Sequence, residues 1–92
     1  MDVSVIGLGK LGSVFAAVLA NRGIKVVGVD KDQEVVDLTS QRIPTHYEPG
    51  LEECLLQAGS NLSATTSIQE AVMKTDAAFI LVPTPSGVRG AF

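Results

Sequence analysis

Val3-Ser4-Val5-Ile6-Gly7-Leu8-Gly9-Lys10-Leu11-Gly12 is the stretch whose reading decides the fold. Val3 to Ile6 is a short β-rich run that ends in glycine. Beyond it, Leu11, Val14, Phe15, Val18 and Leu19 recur at i, i+3, i+4, i+7 and i+8, which marks one face of a helix and predicts that this face packs. The stretch therefore reads strand, glycine turn, helix. Gly7, Gly9 and Gly12 fit G-x-G-x-x-G, and each has a separate task. Gly7 permits the tight turn out of the strand. Gly9 leaves room for a diphosphate to approach the backbone, and Gly12 lets the helix lie close on the strand. The unpaired N–H groups and the dipole of a helix start favour that negative charge. The pattern alone is weak, and a glycine turn without a ligand has the same spacing; the strand before it and the helix after it supply the context it needs.

Outward from the turn, Asn21-Arg22-Gly23 ends the helix, with Gly23 suited to the left-handed position after a helix C-terminus. Lys25 to Val29 is a second short strand, and Asp30 closes it eighteen residues after Gly12. An acidic side chain there accepts hydrogen bonds from the adenosine ribose and repels a 2′-phosphate, so NAD is expected over NADP. Lys31 works in the other direction, although its ammonium lacks the fork of an arginine.

Gln33 to Gln41 reads as a modest helix with Val35, Val36 and Leu38 available for packing. Arg42 to Gly50 is a polar loop with two prolines. Leu51, Cys54, Leu55 and Ala58 return to helical spacing, and Gly59 stops it. Leu62 to Thr65 is a weak strand. Ser67 is an expected N-cap with Glu70 at capping-box spacing, and Ile68, Ala71 and Val72 form a narrow apolar face. Ala77 to Val82 is the strongest strand, followed by Pro83-Thr84-Pro85. The order β-α-β-α-α-β-α-β, with strands apolar throughout, implies an α/β fold. Its parallel sheet is of Rossmann type, covered by helices on both faces, in the order 3-2-1-4. A doubly wound domain needs two more strands beside the fourth, so residues 1–92 are expected to be an incomplete dinucleotide-binding domain.

Composition narrows the classes further. At 92 residues the chain is one domain at most, and 46% hydrophobic against 18% charged residues marks it as folded. Only 4% of residues are aromatic, so Val, Leu, Ile and Ala must build the core. A net charge of −3 with no Lys/Arg run excludes a nucleic-acid footprint. The longest apolar run, Val14 to Ala20, falls far short of the ~20 residues that span a bilayer. The glycines and the lack of a basic start before it argue against a signal peptide. One cysteine, Cys54, excludes an internal disulfide and a CxxC pair, and a reducing cytoplasm is the simplest setting. His46 has no second metal-ligating residue at a suitable spacing, so no metal site is expected.

Four segments in order, Val5-Ile6-Gly7-Leu8-Gly9 through Gly12, Gly28-Val29-Asp30, Tyr47-Glu48-Pro49-Gly50-Leu51 and Val82-Pro83-Thr84-Pro85, resemble the N-terminal NAD-binding domain of the UDP-glucose/GDP-mannose dehydrogenase family. The resemblance covers essentially the whole chain, and Tyr47 to Leu51 is its most specific part. It implies a nucleotide-sugar 6-dehydrogenase of polysaccharide biosynthesis, which oxidises a sugar C6 alcohol to a carboxylate in two NAD-dependent steps. The nucleophilic cysteine of the family lies in a later glycine-rich motif. Cys54 does not match it and reads as a small core residue, so no catalytic residue is expected here. Carried over by position, Gly7, Gly9 and Gly12 correspond to the diphosphate turn and Asp30 to the ribose acid; Lys10, Leu11 and Lys31 are cofactor-binding candidates beside them. Thr84 corresponds to a threonine near the cofactor's ribose and diphosphate. Two positions depart from the family: Lys10-Leu11 stands where Tyr-Val is frequent, and Val35 where a lysine is. For Tyr47 to Leu51 a purely structural role and a ligand role both remain open. His46 reads as a plain loop histidine.

Two other functions fit the glycine turn: a hydroxyacid-type NAD-dependent dehydrogenase, and a nucleotide-sensing module of the kind that gates transporters. Tyr47 to Leu51 argues against the first and Thr84 between two prolines against the second. The isolated chain is expected to be inactive, because the nucleotide-sugar substrate meets the other half of such an enzyme. It is also expected to self-associate through the free edge of the fourth strand.

Overall fold

The structure is a computed structural model and describes residues 1–81. Strands β1 (Asp2–Ile6), β2 (Lys25–Val29), β3 (Leu62–Thr65) and β4 (Ala77–Ile80) form one parallel sheet in the order β3-β2-β1-β4. Its central register pairs Val3 with Val26 and Ala77, and Val26 with Leu62. Helices α1 (Lys10–Asn21), α2 (Gln33–Ser40), α3 (Leu51–Ala58) and α4 (Ile68–Lys74) connect the strands, with a 3₁₀ turn at Gly59–Asn61. The strand order and the sequence of elements agree with expectation. Of the expected fourth strand, Ala77–Ile80 is observed, Leu81 follows it outside the strand, and Val82 lies outside the described residues.

Alternation along the strands sorts the two faces. Val3, Val5, Val26 and Leu62 join Ala16, Ala17 and Ala20 of α1 and Leu51, Leu55 and Ala58 of α3 in the core. Phe79 points to the same side, edge-on to Phe15 with ring centroids 5.2 Å apart. On the other face Ser4 is fully buried, the Thr75 hydroxyl donates to its Oγ at 3.2 Å, and Ala71 of α4 is buried against the sheet.

The buried face of α1 is not the one its large residues predict. Gly12, Ser13, Ala16, Ala17 and Ala20 are buried, whereas Leu11 is 69% exposed and Val18 is 40% exposed. Val14, Phe15 and Leu19 flank the contact, partly buried. The cause is the closeness of the helix to β1. A Cβ built on Gly12 would stand 1.8 Å from the Gly7 carbonyl oxygen, so only small side chains fit between helix and sheet. Counting large apolar residues at helical spacing therefore finds the flank of the contact, Val14, Phe15 and Leu19, and misses its small-residue centre. The apolar face expected on α4 narrows to Ala71, with Ile68 and Val72 half exposed.

Two helices end in the same motif with different residues. After α1, Gly23 at φ +93° donates to Ala20 O and Ile24 donates to Leu19 O, as the sequence predicts for this glycine. After α2, Arg42 takes the left-handed position at φ +64°, with Arg42 N–H on Thr39 O and Ile43 N–H on Leu38 O. No glycine announces this turn. The guanidinium offsets the strain by donating to the carbonyls of Thr39, Ser40, Gly59 and Leu62, which tie α2 to the start of β3. Arg42→Ala is expected to cost about 2 kcal/mol, from the lost charge-assisted bonds, while the strained φ stays. Arg42→Gly should cost less, since glycine adopts that φ freely. Urea unfolding of both variants checks this order, and equal losses would rule out the backbone contribution.

The cap of α4 is also half of what its spacing predicts. Ser67 Oγ accepts from Glu70 N–H at 3.0 Å, but Ser67 N–H donates to Thr65 Oγ1, not to Glu70. The Glu70 carboxylate is held instead by the Lys74 ammonium at 2.9 Å and by the Thr65 hydroxyl. Those two bonds, with the Lys74 charge, keep its carboxyl below the ordinary value.

Candidate functional site

The sheet and α1 build one concave end. Gly7 leaves β1 at φ +102°, a value favoured by glycine, and its N–H donates to Val29 O at 2.7 Å. The chain then turns over β2. The Leu8 side chain, 1% exposed, drops onto Gly28, where a Cβ would stand 2.9 Å from a Leu8 methyl. Gly28 thus makes the room in which the turn is anchored, a role that its spacing alone does not reveal. Buried Ser13 fixes the turn from the other side, its Oγ donating to Leu8 O at 2.9 Å.

Gly9 is the N-cap residue of α1 and offers no side-chain cap. The first intrahelical bond runs from Ser13 N–H to Gly9 O, so the N–H groups of the first turn point out of the helix. The first turn contains no acidic residue, and Lys10 stands in it, exposed. A Cβ added at Gly9 meets nothing within 4 Å, in contrast to Gly12. Open space, free donors and a positive helix start coincide at this point, which is the environment a diphosphate requires.

Asp30 follows β2, half-buried, and is bound to this turn. Its Oδ2 accepts from Leu8 N–H at 2.9 Å and its Oδ1 from Asp32 N–H at 3.0 Å. Beside it lies a hollow of about 430 Å³ lined by Ile6, Gly7, Val29, Asp30, Lys31, Thr66 and Ile68. Ile68 is 53% exposed and presents an apolar wall to that hollow. Thr66 and Ile68 line this hollow, which the sequence does not reveal. Ile68 was assigned to a packing face, and its helix start reaches the hollow only because β3 lies beside β2.

The structure thus brings Gly7, Gly9, Lys10, Leu11, Gly12, Asp30 and Lys31 to the carboxyl end of the sheet. Thr84 lies outside the described residues. Tyr47 to Leu51 is elsewhere in its contacts: Leu51 is buried in the core and opens α3, while Tyr47 is 88% exposed. Pro49 and Gly50 line a separate groove with Val14, Val18 and Cys54. Cys54 is free and packs against the core, as a small interior residue would. His46 sits in the loop with Nδ1 3.3 Å from the Thr45 hydroxyl oxygen and with Nε2 buried without a partner. Among the described residues no group of three or more His, Cys, Asp or Glu is placed to hold a metal ion, and no helix is long and apolar enough to cross a membrane.

Comparison with known proteins agrees with this geometry. The UDP-glucose/GDP-mannose dehydrogenase family, NAD binding domain, matches residues 1–91. The chain belongs to that family. GDP-mannose 6-dehydrogenase of Pseudomonas aeruginosa is 44% identical over 93 aligned positions, covering 98% of this chain and 21% of the relative. UDP-glucose 6-dehydrogenase of Haloferax volcanii is 44% identical over 88 positions, covering 94% of this chain and 20% of the relative. Among solved structures, a ternary complex of the Pseudomonas aeruginosa GDP-mannose dehydrogenase superposes with a TM-score of 0.90 at 43% identity. It covers 94% of this chain and 20% of that one. A UDP-glucose dehydrogenase from Pyrobaculum islandicum superposes at 0.85 with 44% identity, over 94% of this chain and 21% of that one. The chain therefore spans about a fifth of the length of these family members. NAD is the cofactor of the domain it matches.

Proposed function

We propose that this chain is the cofactor-binding portion of a nucleotide-sugar 6-dehydrogenase. In that reading Gly7, Gly9 and Gly12, with the first-turn N–H groups of Lys10 and Leu11, hold the diphosphate, and Lys10 adds a positive charge. Asp30 accepts from the adenosine ribose, and Thr66 and Ile68 border the adenine. Thr84 is assigned to the cofactor's ribose and diphosphate by its place in the family pattern. The observation that carries the reading is the open, positively polarised helix start at Gly9, joined by one hydrogen bond to an acid at the end of β2. Bound at these residues, NAD would supply the hydride acceptor for oxidation of the substrate carbon. The chain's own contribution is to bind and orient it.

The substrate is proposed to be a UDP- or GDP-sugar whose C6 alcohol becomes a carboxylate, feeding polysaccharide biosynthesis. Cys54, packed against the core, is not in position to attack it. The nucleophile implied by the family belongs to another part of such an enzyme, so residues 1–92 are proposed to be one incomplete domain and inactive alone. A cytoplasmic setting fits the one free thiol and the soluble-type surface charge.

Titration calorimetry tests the cofactor reading. The chain should bind NAD weakly and NADP about tenfold or more weaker still, because the Asp30 carboxylate faces the 2′ position. Equal or tighter NADP binding would show that Lys31 outweighs Asp30. A second proposal concerns the sheet edge. Among the described residues β4 pairs only with β1, and Phe79 and Ile80 are exposed. Unpaired N–H and C=O groups beside apolar side chains are a template for another strand. Light scattering over a concentration series should show a dimer, and a monomer at high concentration removes that idea.

A further inference from the structure

We propose that Asp30 is a positioning residue for the glycine turn as well as a ribose contact, and that this double engagement adds to its charge in setting the choice between NAD and NADP. The inference rests on the cofactor reading above. Each carboxylate oxygen is already engaged in the free protein. Oδ2 takes the N–H of Leu8, inside the turn, and Oδ1 takes the N–H of Asp32, beyond the strand. Leu8 is fixed by its buried side chain over Gly28 and by the bond from Ser13 to its carbonyl, so the carboxylate is drawn to a stationary donor. Alongside it, Gly7 N–H to Val29 O closes the same seam between the ends of β1 and β2.

Two consequences follow. The turn is held in its diphosphate-accepting shape before any cofactor arrives, which lowers the ordering cost of binding. A cofactor carrying a 2′-phosphate also cannot displace the carboxylate by a simple side-chain rotation, because that rotation would strip two backbone N–H groups of a charged acceptor. A carboxylate acting only through its charge behaves differently. Its removal would leave the turn intact and admit NADP.

The test uses amide hydrogen exchange of the 92-residue chain without cofactor, read residue by residue by NMR, together with NAD and NADP titrations. In the wild type, Leu8 N–H should be protected like Gly7 N–H. In Asp30→Asn, Leu8 should exchange about tenfold faster or more, with Val5 and Val26 unchanged. NAD should weaken, and NADP, although freed of the carboxylate's repulsion, should stay well below the wild-type affinity for NAD. Asp30→Glu keeps the charge but not the two-residue reach to Asp32 N–H, and should loosen Leu8 by a smaller factor. An unprotected Leu8 in the wild type overturns the proposal without recourse to any variant. So does an Asp30→Asn protein with unchanged Leu8 exchange, or one that binds NADP as the wild type binds NAD. If Leu8 is protected and then released by Asp30→Asn while the wild type binds neither cofactor, the brace stands and the cofactor reading falls.

Discussion

Gly12→Ala is expected to unfold much of the protein at temperatures where the wild type is intact. A single methyl group at this position would stand 1.8 Å from the Gly7 carbonyl oxygen and 2.9 Å from its carbon. Both atoms are backbone, and the Gly7 N–H is itself bonded to Val29 O at 2.7 Å, so the strand end cannot withdraw cheaply. The helix must move instead. That would lift Ala16, Ala17 and Ala20 off Val3, Val5 and Val26, the centre of the core. Overpacking of this kind costs typically 1–3 kcal/mol, and contact with backbone puts it at about 3 kcal/mol or above. Against a total stability of about 5–15 kcal/mol, and at roughly 4–8 °C per kcal/mol for a chain this size, the midpoint should fall by more than about 12 °C. Calorimetric melting measures it. A shift of only a few degrees would mean that α1 does not lie as close to β1 as described.

The same glycine shows why part of this molecule is readable from its sequence and part is not. Strand, turn and helix succeed one another in Val3 to Gly12 because each has its own local signature, and the parallel order follows from chain handedness. Asp30 and Gly23 are equally legible, since one chemical property at one spacing decides each. Burial on α1 is different. It depends on the distance between helix and sheet, which Gly12 sets, and at that distance Ala16 and Ala17 outcompete Leu11 and Val18 for the inner face. Arg42 hides for a related reason: its left-handed turn is stabilised by carbonyls of Gly59 and Leu62, seventeen and twenty residues away. Thr66 and Ile68 join the hollow beside Asp30 through strand adjacency, which no local pattern encodes. What the sequence conveys poorly is distance between elements.

Gly9→Val should give the opposite phenotype to Gly12→Ala: a protein that stays folded and does not bind NAD. Gly9 has φ −72° and ψ −158°, at the margin of the extended region and not in the left-handed one, and a Cβ there meets nothing within 4 Å. The added Cβ therefore meets no neighbour, and since valine caps a helix less well than glycine, stability should fall by about 1 kcal/mol, far less than for Gly12→Ala. The added methyl groups fill the space in front of the first turn of α1, where the free N–H groups converge. A diphosphate held there loses several charge-assisted hydrogen bonds at once, each worth about 1.5–3 kcal/mol. Affinity for NAD should drop at least about 100-fold, which corresponds to ~2.8 kcal/mol. Two measurements on one sample, a melting curve and an NAD titration, give the result. A variant with wild-type melting and wild-type affinity would place the diphosphate elsewhere and remove the physical basis for the cofactor site. Loss of binding in a variant that stays folded would locate it at the one glycine of the turn whose missing side chain the fold itself does not require.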